Sequence, residues 1–292
     1  MRVCLMLEGQ EGIGWEQWLS LAHAAEVAGL DGMFRSDHYR SITRGDPAGS
    51  LDAWTTLAAL AARTEHLRLG TLVSPVTFRH VSVLAKAVVT VDQISGGRAE
   101  LGIGAGWFEA EHAAYRFPFM TTRERLDELD RQLEEITRQW TVAEDVWPKP
   151  VQKPRPRIIV GGNARPRTVR AAVRFADEYN TIMPSVTQAR ERCEIVREAA
   201  SAAGREPLVF SMLAGCVLGA DATDYARRLA EWRAFTGRSD APELAGTVEQ
   251  VHETLCRYKA AGVERVMAQH LVHTDLEMVP LLGELARTLA AT

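Results

Sequence analysis

The chain is predicted to fold as a (β/α)8 TIM barrel, an α/β architecture built on a closed parallel sheet. Three observations lead there. Strand-like apolar runs alternate with helix-like segments eight times along the 292 residues, the pattern of a parallel sheet covered by helices. That length suits one such barrel, which typically takes about 250 residues, so a single domain over residues 1–292 is expected. Residues 69–107 also read as strand, loop, helix and second strand, a βαβ unit whose right-handed crossover stacks onto the next.

The first strand, residues 3–7, hands over to Glu8-Gly9-Gln10, at the carboxyl end where such barrels place their ligands. Residues 15–27 carry Trp18, Leu21, Ala22 and Ala25 on one helical stripe that stops at Gly29. The second strand, residues 32–35, ends in Ser36-Asp37-His38. An imidazole there titrates near neutrality and suits proton transfer, or else serves as a hydrogen-bonding surface residue. Residues 40–50 form a polar loop with Gly45, Pro47 and Gly49, suited to a pocket rim, and residues 51–63 return to helix.

The third strand, residues 67–73, is followed by Val81, Leu84, Ala85, Val88 and Val91 at helical spacing, with Ser95-Gly96-Gly97 as the stop. Residues 98–103 form the fourth strand and deliver Gly104-Ala105-Gly106. The ends of these two strands, Thr71-Leu72-Val73-Ser74 and the GAG turn, belong side by side on one face. The glycines either leave room for a ligand against the backbone or only close a tight turn. Beyond them Glu109, Glu111 and His112 are acid/base candidates, although a charged helix start is ordinarily a solvated face favoured by the helix dipole.

Residues 122–140 place Leu126, Leu129, Leu133, Ile136 and Trp140 along a helix for core or dimer packing. Pro148, Pro150, Pro154 and Pro156 then impose an extended connection. Residues 158–160 are a buried strand, and Gly161-Gly162-Asn163-Ala164 leads into a helix that starts near Pro166. Glycines before a helix start, with its free N–H groups, make a preorganised anion site. The sixth strand, residues 177–183, ends at Met183-Pro184, and helix 187–203, strand 208–218 and helix 222–235 follow. Thr247 and Gln250 form a capping box for a helix that runs to Ala261 and stops at Gly262. Strand 263–269 and helix 276–289 close the ring.

Composition narrows the function classes. With 46% hydrophobic and 25% charged residues the chain is an ordinary globular one, and a net charge of −4 offers no basic face for nucleic acid or anionic membrane. No apolar run approaches the roughly 20 residues of a membrane span, and the amino terminus enters a strand without a signal-peptide pattern. A cytoplasmic location is expected. Cys4, Cys193, Cys216 and Cys256 are far apart, with no CxxC pair and no histidine at ligand spacing, so reduced packing cysteines and no metal site are expected.

The motifs FRSDHY at residues 34–39, LGTLVSPVTFRH at 69–80, VDQISGGRAELGIGAGW at 91–107 and PRIIVGGNARPRTVRAAVRFADEYN at 156–180 resemble the luciferase-like flavin and deazaflavin oxidoreductases, a superfamily of TIM barrels. The pattern is most similar to the branch that uses the deazaflavin coenzyme F420. That resemblance implies an F420-dependent oxidoreductase that moves a hydride between the deazaflavin C5 and a small organic substrate. It implies Asp37 as a coenzyme contact and His38 against the reacting ring, both catalytic. It further implies a non-prolyl cis peptide at Leu72-Val73 supporting the ring, close approach at Gly104, Ala105 and Gly106, and Met183 in the ring pocket. The coenzyme phosphate is implied at Gly161, Gly162, Asn163 and Ala164, with Arg165 or Arg167 as helper. Trp107 stands where sugar-phosphate dehydrogenases of this branch carry an acidic residue, so a sugar phosphate is not the expected substrate. The alternative is an FMN-dependent luciferase-like monooxygenase using reduced flavin and O2. A homodimer is implied, and a flavin or F420 reductase is the partner that would supply reduced coenzyme.

Overall fold

The computed structural model describes residues 1–43 and 49–291. The first half comprises β1 (Arg2–Leu7), α1 (Trp15–Val27), β2 (Gly32–Arg35), α2 (Ala53–Ala61), β3 (Arg68–Thr71), β4 (Ser74–Pro75), α3 (Val81–Ser95), β5 (Ala99–Gly104), α4 (Glu109–Tyr115) and α5 (Thr122–Thr141). The second comprises β6 (Arg157–Gly161), α6 (Pro166–Phe175), β7 (Glu178–Ile182), α7 (Val186–Ala202), β8 (Val209–Gly219), α8 (Ala222–Thr236), β9 (Leu244–Thr247), α9 (Val248–Ala260), β10 (Arg265–His270) and α10 (Met278–Ala291). Strands β10, β1, β2, β3, β5, β6, β7 and β8 run side by side, and β8 pairs in parallel with β10 from Ser211↔Arg265 to Gly215↔Gln269. That last pairing closes the eight-stranded barrel the alternation predicts.

Two short strands lie outside the ring and correct the sequence reading. The expected strand 67–73 is split: β3 ends at Thr71, and β4 pairs with the end of β5. β9 pairs with the outer half of β8, Cys216↔Leu244 through Gly219↔Thr247. Segments this short carry no readable alternation. Elsewhere the local chemistry works as read. Gly96 takes a left-handed φ of 66° to end α3, and Thr247 with Gln250 forms a capping box for α9. Thr121 with Glu124 and Ser185 with Gln188 do the same for α5 and α7.

Strand parity divides the core. Val3, Leu5 and Leu7 face the helices and join the main cluster with Leu84, Leu133 and Leu285, while Cys4 and Met6 point into the barrel and pack with Phe34, Ile159 and Met267. Beneath that inner cluster, at the amino ends of the strands, Arg265 is fully buried. Its guanidinium meets Glu100 at 2.7 Å, Glu178 at 3.1 Å and Asp31 at 2.9 Å, and Arg68 also pairs with Glu100. Burial works against ionising Glu100, yet Arg265 and Arg68 outweigh it and hold its carboxyl down to about 2. Burial, with the neighbouring Glu100 charge, pushes Glu178 up instead. The ionic plug fills one end of the barrel and leaves the other for chemistry. Among the described residues no helix is long and apolar enough to cross a membrane.

Candidate active site

The carboxyl ends of the strands surround a cavity of about 540 Å³. Its floor is apolar, made by Leu72, Val73 and Leu213 above the inner cluster. The peptide between Leu72 and Val73 is cis. Gly104, Ala105 and Gly106 also line the cavity, but Gly104 is glycine for a reason other than ligand approach. A Cβ there would stand 2.7 Å from Val73 Cγ2, so the missing side chain seats Val73. Gly106 has φ 76° and would place a Cβ 3.1 Å from Thr77 Oγ1, which makes it a turn residue. Gly161 differs: a Cβ would meet protein atoms only at 3.6 and 3.8 Å, ordinary contact distances. Its bareness is not demanded by neighbours and leaves backbone open to the cavity.

His38 reaches the cavity wall at the end of β2. Its Nδ1 meets Glu111 Oε2 at 2.9 Å, which leaves Nε2 as the ring nitrogen for the cavity. Glu111 is fully buried and also accepts from the backbone N–H groups of Tyr39 and Arg40. Burial disfavours a charged His38, but the hydrogen bond and charge of Glu111, joined by Glu8 and Asp37, outweigh it and raise the imidazole pKa above its ordinary value. Trp107 stands edge-on to His38, ring centres 5.8 Å apart, and stacks on Phe108 at 5.2 Å. It is 60% exposed at the rim. On the adjoining wall, just past β1, Glu8 accepts from Gln10 at 2.8 Å and Gln269 at 2.6 Å.

The charged start of α4 is therefore not a solvated face. Glu109 is exposed, but Glu111 and His112 are buried. His112 Nδ1 lies 2.8 Å from the Phe108 carbonyl and Nε2 lies 2.7 Å from Thr77 Oγ1. A carbonyl only accepts, so Nδ1 carries the proton and both nitrogens are spent on structure.

Asp37 is turned away from the cavity. Its carboxylate takes a two-point ion pair from Arg79, at 2.6 and 3.0 Å, and a 2.6 Å hydrogen bond from Ser74 Oγ. Arg79 also grips Asp52, which sits at the start of α2, and Ser74 accepts from Trp54 Nε1 at 2.9 Å. Burial opposes ionisation of Asp52, but the Thr55 amide and Arg79 hold it down to about 2. Thr71 donates to the Gly102 carbonyl at 2.8 Å. Asp37, Thr71 and Ser74 thus brace the β2 and β3 ends, and none of the three lines the cavity. The rim loop expected at residues 40–50 lies outside the described residues from 44 to 48. Of its near end, Ile42 and Thr43 reach the cavity and donate N–H groups to Glu11 at 2.8 and 3.0 Å.

At the anion loop, Gly161 lines the cavity while Gly162, Asn163 and Ala164 lie beyond its wall. Two N–H groups expected for an anion are already engaged, Gly162 with the Asn180 carbonyl at 2.9 Å and Ala164 with the Tyr179 hydroxyl at 2.8 Å. Pro166 opens α6, and no side chain caps that helix start. Arg167 is committed to Asp127 and Asp130 on α5, so it does not serve the loop. Met183, with φ 39°, lines the cavity just past β7. Among the described residues no group of His, Cys, Asp and Glu is arranged to hold a metal ion.

A sequence model of the luciferase-like monooxygenase family matches residues 4–274. The chain belongs to that family. It is 34% identical over 134 residues to an F420-dependent glucose-6-phosphate dehydrogenase of Nocardia farcinica, a match covering 45% of this chain and 39% of that one. It is 28% identical over 198 residues to an FMNH2-dependent dimethylsulfone monooxygenase of Pseudomonas putida, covering 63% and 53%. The chain thus spans about half the length, or less, of these curated relatives. The solved structure of a monooxygenase from Streptomyces bottropensis superposes with a TM-score of 0.79 at 25% identity, over 97% of this chain and 98% of that one.

In this luciferase-like barrel the residues that sequence reading passed over are Glu111 as the partner of His38, Arg79 as the partner of Asp37, and Gln269 as the partner of Glu8. Each pairs across barrel strands or with a neighbouring loop helix, and local patterning carries no trace of such pairs. One signal was present: in β2, Phe34 faces the barrel interior, so by two-residue parity Ser36 and His38 face the cavity and Asp37 does not.

Proposed function

We propose that this protein is an F420-dependent oxidoreductase that transfers a hydride between the deazaflavin C5 and a small organic substrate carrying an alcohol or carbonyl. The observation that carries the reading is the His38–Glu111 pair, a proton-carrying imidazole with a buried carboxylate behind it, set beside an apolar floor. The residues present fit a flat ring coenzyme: Leu72 and Val73 offer an apolar platform, Gly161 offers open backbone, and α6 begins without a side-chain cap. Bound there, the coenzyme would supply the carbon that gives or takes the hydride.

The protein's own work is positioning, shielding and proton transfer. In the oxidative direction His38 Nε2 would take the substrate's hydroxyl proton, and in reduction it would return that proton to the carbonyl oxygen. Glu111 orients the imidazole and stabilises its cationic form, and the Arg79–Asp37 pair braces the strand end that presents it. Trp107 shields the reacting edge from water.

A second reading, an FMN-dependent monooxygenase fed with reduced flavin by a partner reductase, is favoured by the likeness to the Streptomyces bottropensis monooxygenase over nearly the full chain. A side-by-side fluorescence titration with F420 and FMN separates the two. Binding of F420 at least tenfold tighter, together with loss of coenzyme-linked turnover but not of binding in His38→Asn, supports hydride transfer. Preference for FMN would replace it with the monooxygenase reading.

A further inference from the structure

We propose that Arg192 provides the positive charge that receives the phosphoryl group of the bound coenzyme. The inference rests on the coenzyme reading above but not on which of the two coenzymes is used, because F420 and FMN both carry a phosphate ester on the ribityl side of the ring.

The anion loop offers a phosphate only part of what it needs. Two of its amides are spent inside the protein, on Asn180 and Tyr179, Pro166 at the start of α6 has no N–H, and Arg167 is neutralised by Asp127 and Asp130. A phosphate ester brought there would meet the remaining backbone donors and the exposed Arg165 side chain, which no bond among the described residues anchors, and no anchored counter-charge. Arg192 supplies one from the next helix. From α7 it reaches back across the end of β7, where Nη1 donates to Thr181 Oγ1 at 2.7 Å and to the Ile182 carbonyl at 3.3 Å.

Register fixes how near that is to the loop. Gly161 is paired with Asn180, the residue before Thr181, and adjacent strands stand about 4.8 Å apart. Tyr179 and Thr181 share the helix-facing side of β7. The Tyr179 hydroxyl bonds Ala164 N–H and lies 3.1 Å from Thr168 Oγ1. Burial raises the pKa of that hydroxyl, and its bonds to Thr168 and Ala164 together with the charge of Arg192 act against the rise. Arg192, the loop and the first turn of α6 therefore share one electrostatic neighbourhood.

Two features suit this arginine to the role. Among the described residues no carboxylate lies within 4.0 Å of its guanidinium, unlike that of Arg167 beside the loop. Both of its bonds run through Nη1, so the stem is fixed while Nη2 and Nε keep their donors. A half-buried, anchored guanidinium without a counter-ion is preorganised for two-point capture of phosphate oxygens.

The test is a fluorescence titration of the full chain with four ligands: F420, its phosphate-free deazaflavin riboside, FMN and riboflavin. The wild type is expected to favour the phosphorylated member of at least one pair. Arg192→Met keeps the apolar stem and is expected to weaken that member roughly 10- to 100-fold, the worth of one charge-assisted hydrogen bond, while leaving the phosphate-free member within about twofold. Arg192→Lys is expected to restore part of the difference. The F420 and FMN arms identify which coenzyme's phosphate is received. An unchanged preference for phosphate in Arg192→Met overturns the inference, and so does equal weakening of both members, which would mark Arg192 as a support of the β7 end. If wild-type protein binds none of the four ligands, the coenzyme reading falls and this inference with it.

Discussion

Replacing Glu111 by glutamine isolates the acid–base pair from the scaffold around it. Tyr39 N–H and Arg40 N–H both donate to Glu111 Oε1, whereas His38 Nδ1 meets Oε2. A glutamine whose carbonyl oxygen takes the Oε1 position keeps both backbone bonds and sets an NH2 group against Nδ1. Only the charge and the His38 contact are lost. A hydrogen bond to a charged group is worth about 1.5–3 kcal/mol, so kcat/KM is expected to fall roughly 10- to 100-fold if His38 carries the proton. Alanine removes the acceptor of the two amides as well. Arg40 is exposed and recovers water, so the added stability loss is about 1–3 kcal/mol, the cost of one orphaned amide. The pH dependence separates the roles further. Because the folded His38 pKa is raised, the pair's contribution to stability is fully present below the unfolded value near 6.5 and is lost as pH rises through the folded value. Glu111→Gln removes the cause of the rise and is expected to flatten that loss. Urea unfolding over a pH series, with NMR titration of the His38 ring protons, reads both effects. If Glu111→Gln unfolds with the wild-type pH dependence, or loses as much stability as Glu111→Ala at every pH, then Glu111 only holds the loop and the proton-transfer argument fails.

Three further outcomes follow from the geometry. Asp37→Asn leaves the Arg79 guanidinium with Asp52 alone, so a stability loss of about 3 kcal/mol, near the low end for a broken buried pair, is expected in urea unfolding; a change under 1 kcal/mol would remove the bracing role. Gly104→Ala forces a Cβ against Val73 Cγ2 at 2.7 Å and is expected to cost about 1–3 kcal/mol by overpacking, with much of the loss restored in the double variant carrying Val73→Ala; strictly additive effects would show that the two side chains do not share that space. Arg265→Met leaves Glu100 and Glu178 buried together without their common partner and is expected to destabilise by about 3–5 kcal/mol at neutral pH. The penalty should shrink on acidification, because Glu178, already pushed up by burial and the Glu100 charge, takes a proton first; a penalty independent of pH would count against the shared-guanidinium account.

Much of the barrel was legible because its signals are local. Helix stops at Gly29, Gly96 and Gly262, the cap at Thr247 and Gln250, and Pro166 at the head of α6 act over one turn of chain, and all stand where the sequence places them. The end-of-strand rule likewise brought His38, Leu72, Val73, the GAG turn, Gly161 and Met183 to one cavity. What failed was the sense of individual side chains. The EAEH start of α4 has the composition of a solvated helix turn, yet Glu111 is drawn inward by three donors from a segment about seventy residues earlier. No short window contains both ends of that interaction.

The strands nevertheless held a rule able to recover most of the missing directions. A strand buried on both faces is apolar throughout and hides its parity, but a charged residue within it must face a partner and so reveals the inward side. Glu100 in β5, Glu178 in β7 and Arg265 in β10 are such residues, and they meet inside the barrel. Counting by twos from them gives Gly102 and Gly104, Asn180 and Ile182, and Met267 and Gln269. All but Gly102 and Met267, which lie deeper, line the cavity. The same count on β7 turns Tyr179 and Thr181 outward, toward the helix layer where they meet Ala164 and Arg192. The ionic plug at one end, the cavity wall at the other and the anion-loop contacts between the helices are therefore consequences of one alternation. A one-residue register slip of the whole of β7 would exchange its share of all three at once, turning Glu178 out of the plug and Thr181 into the cavity.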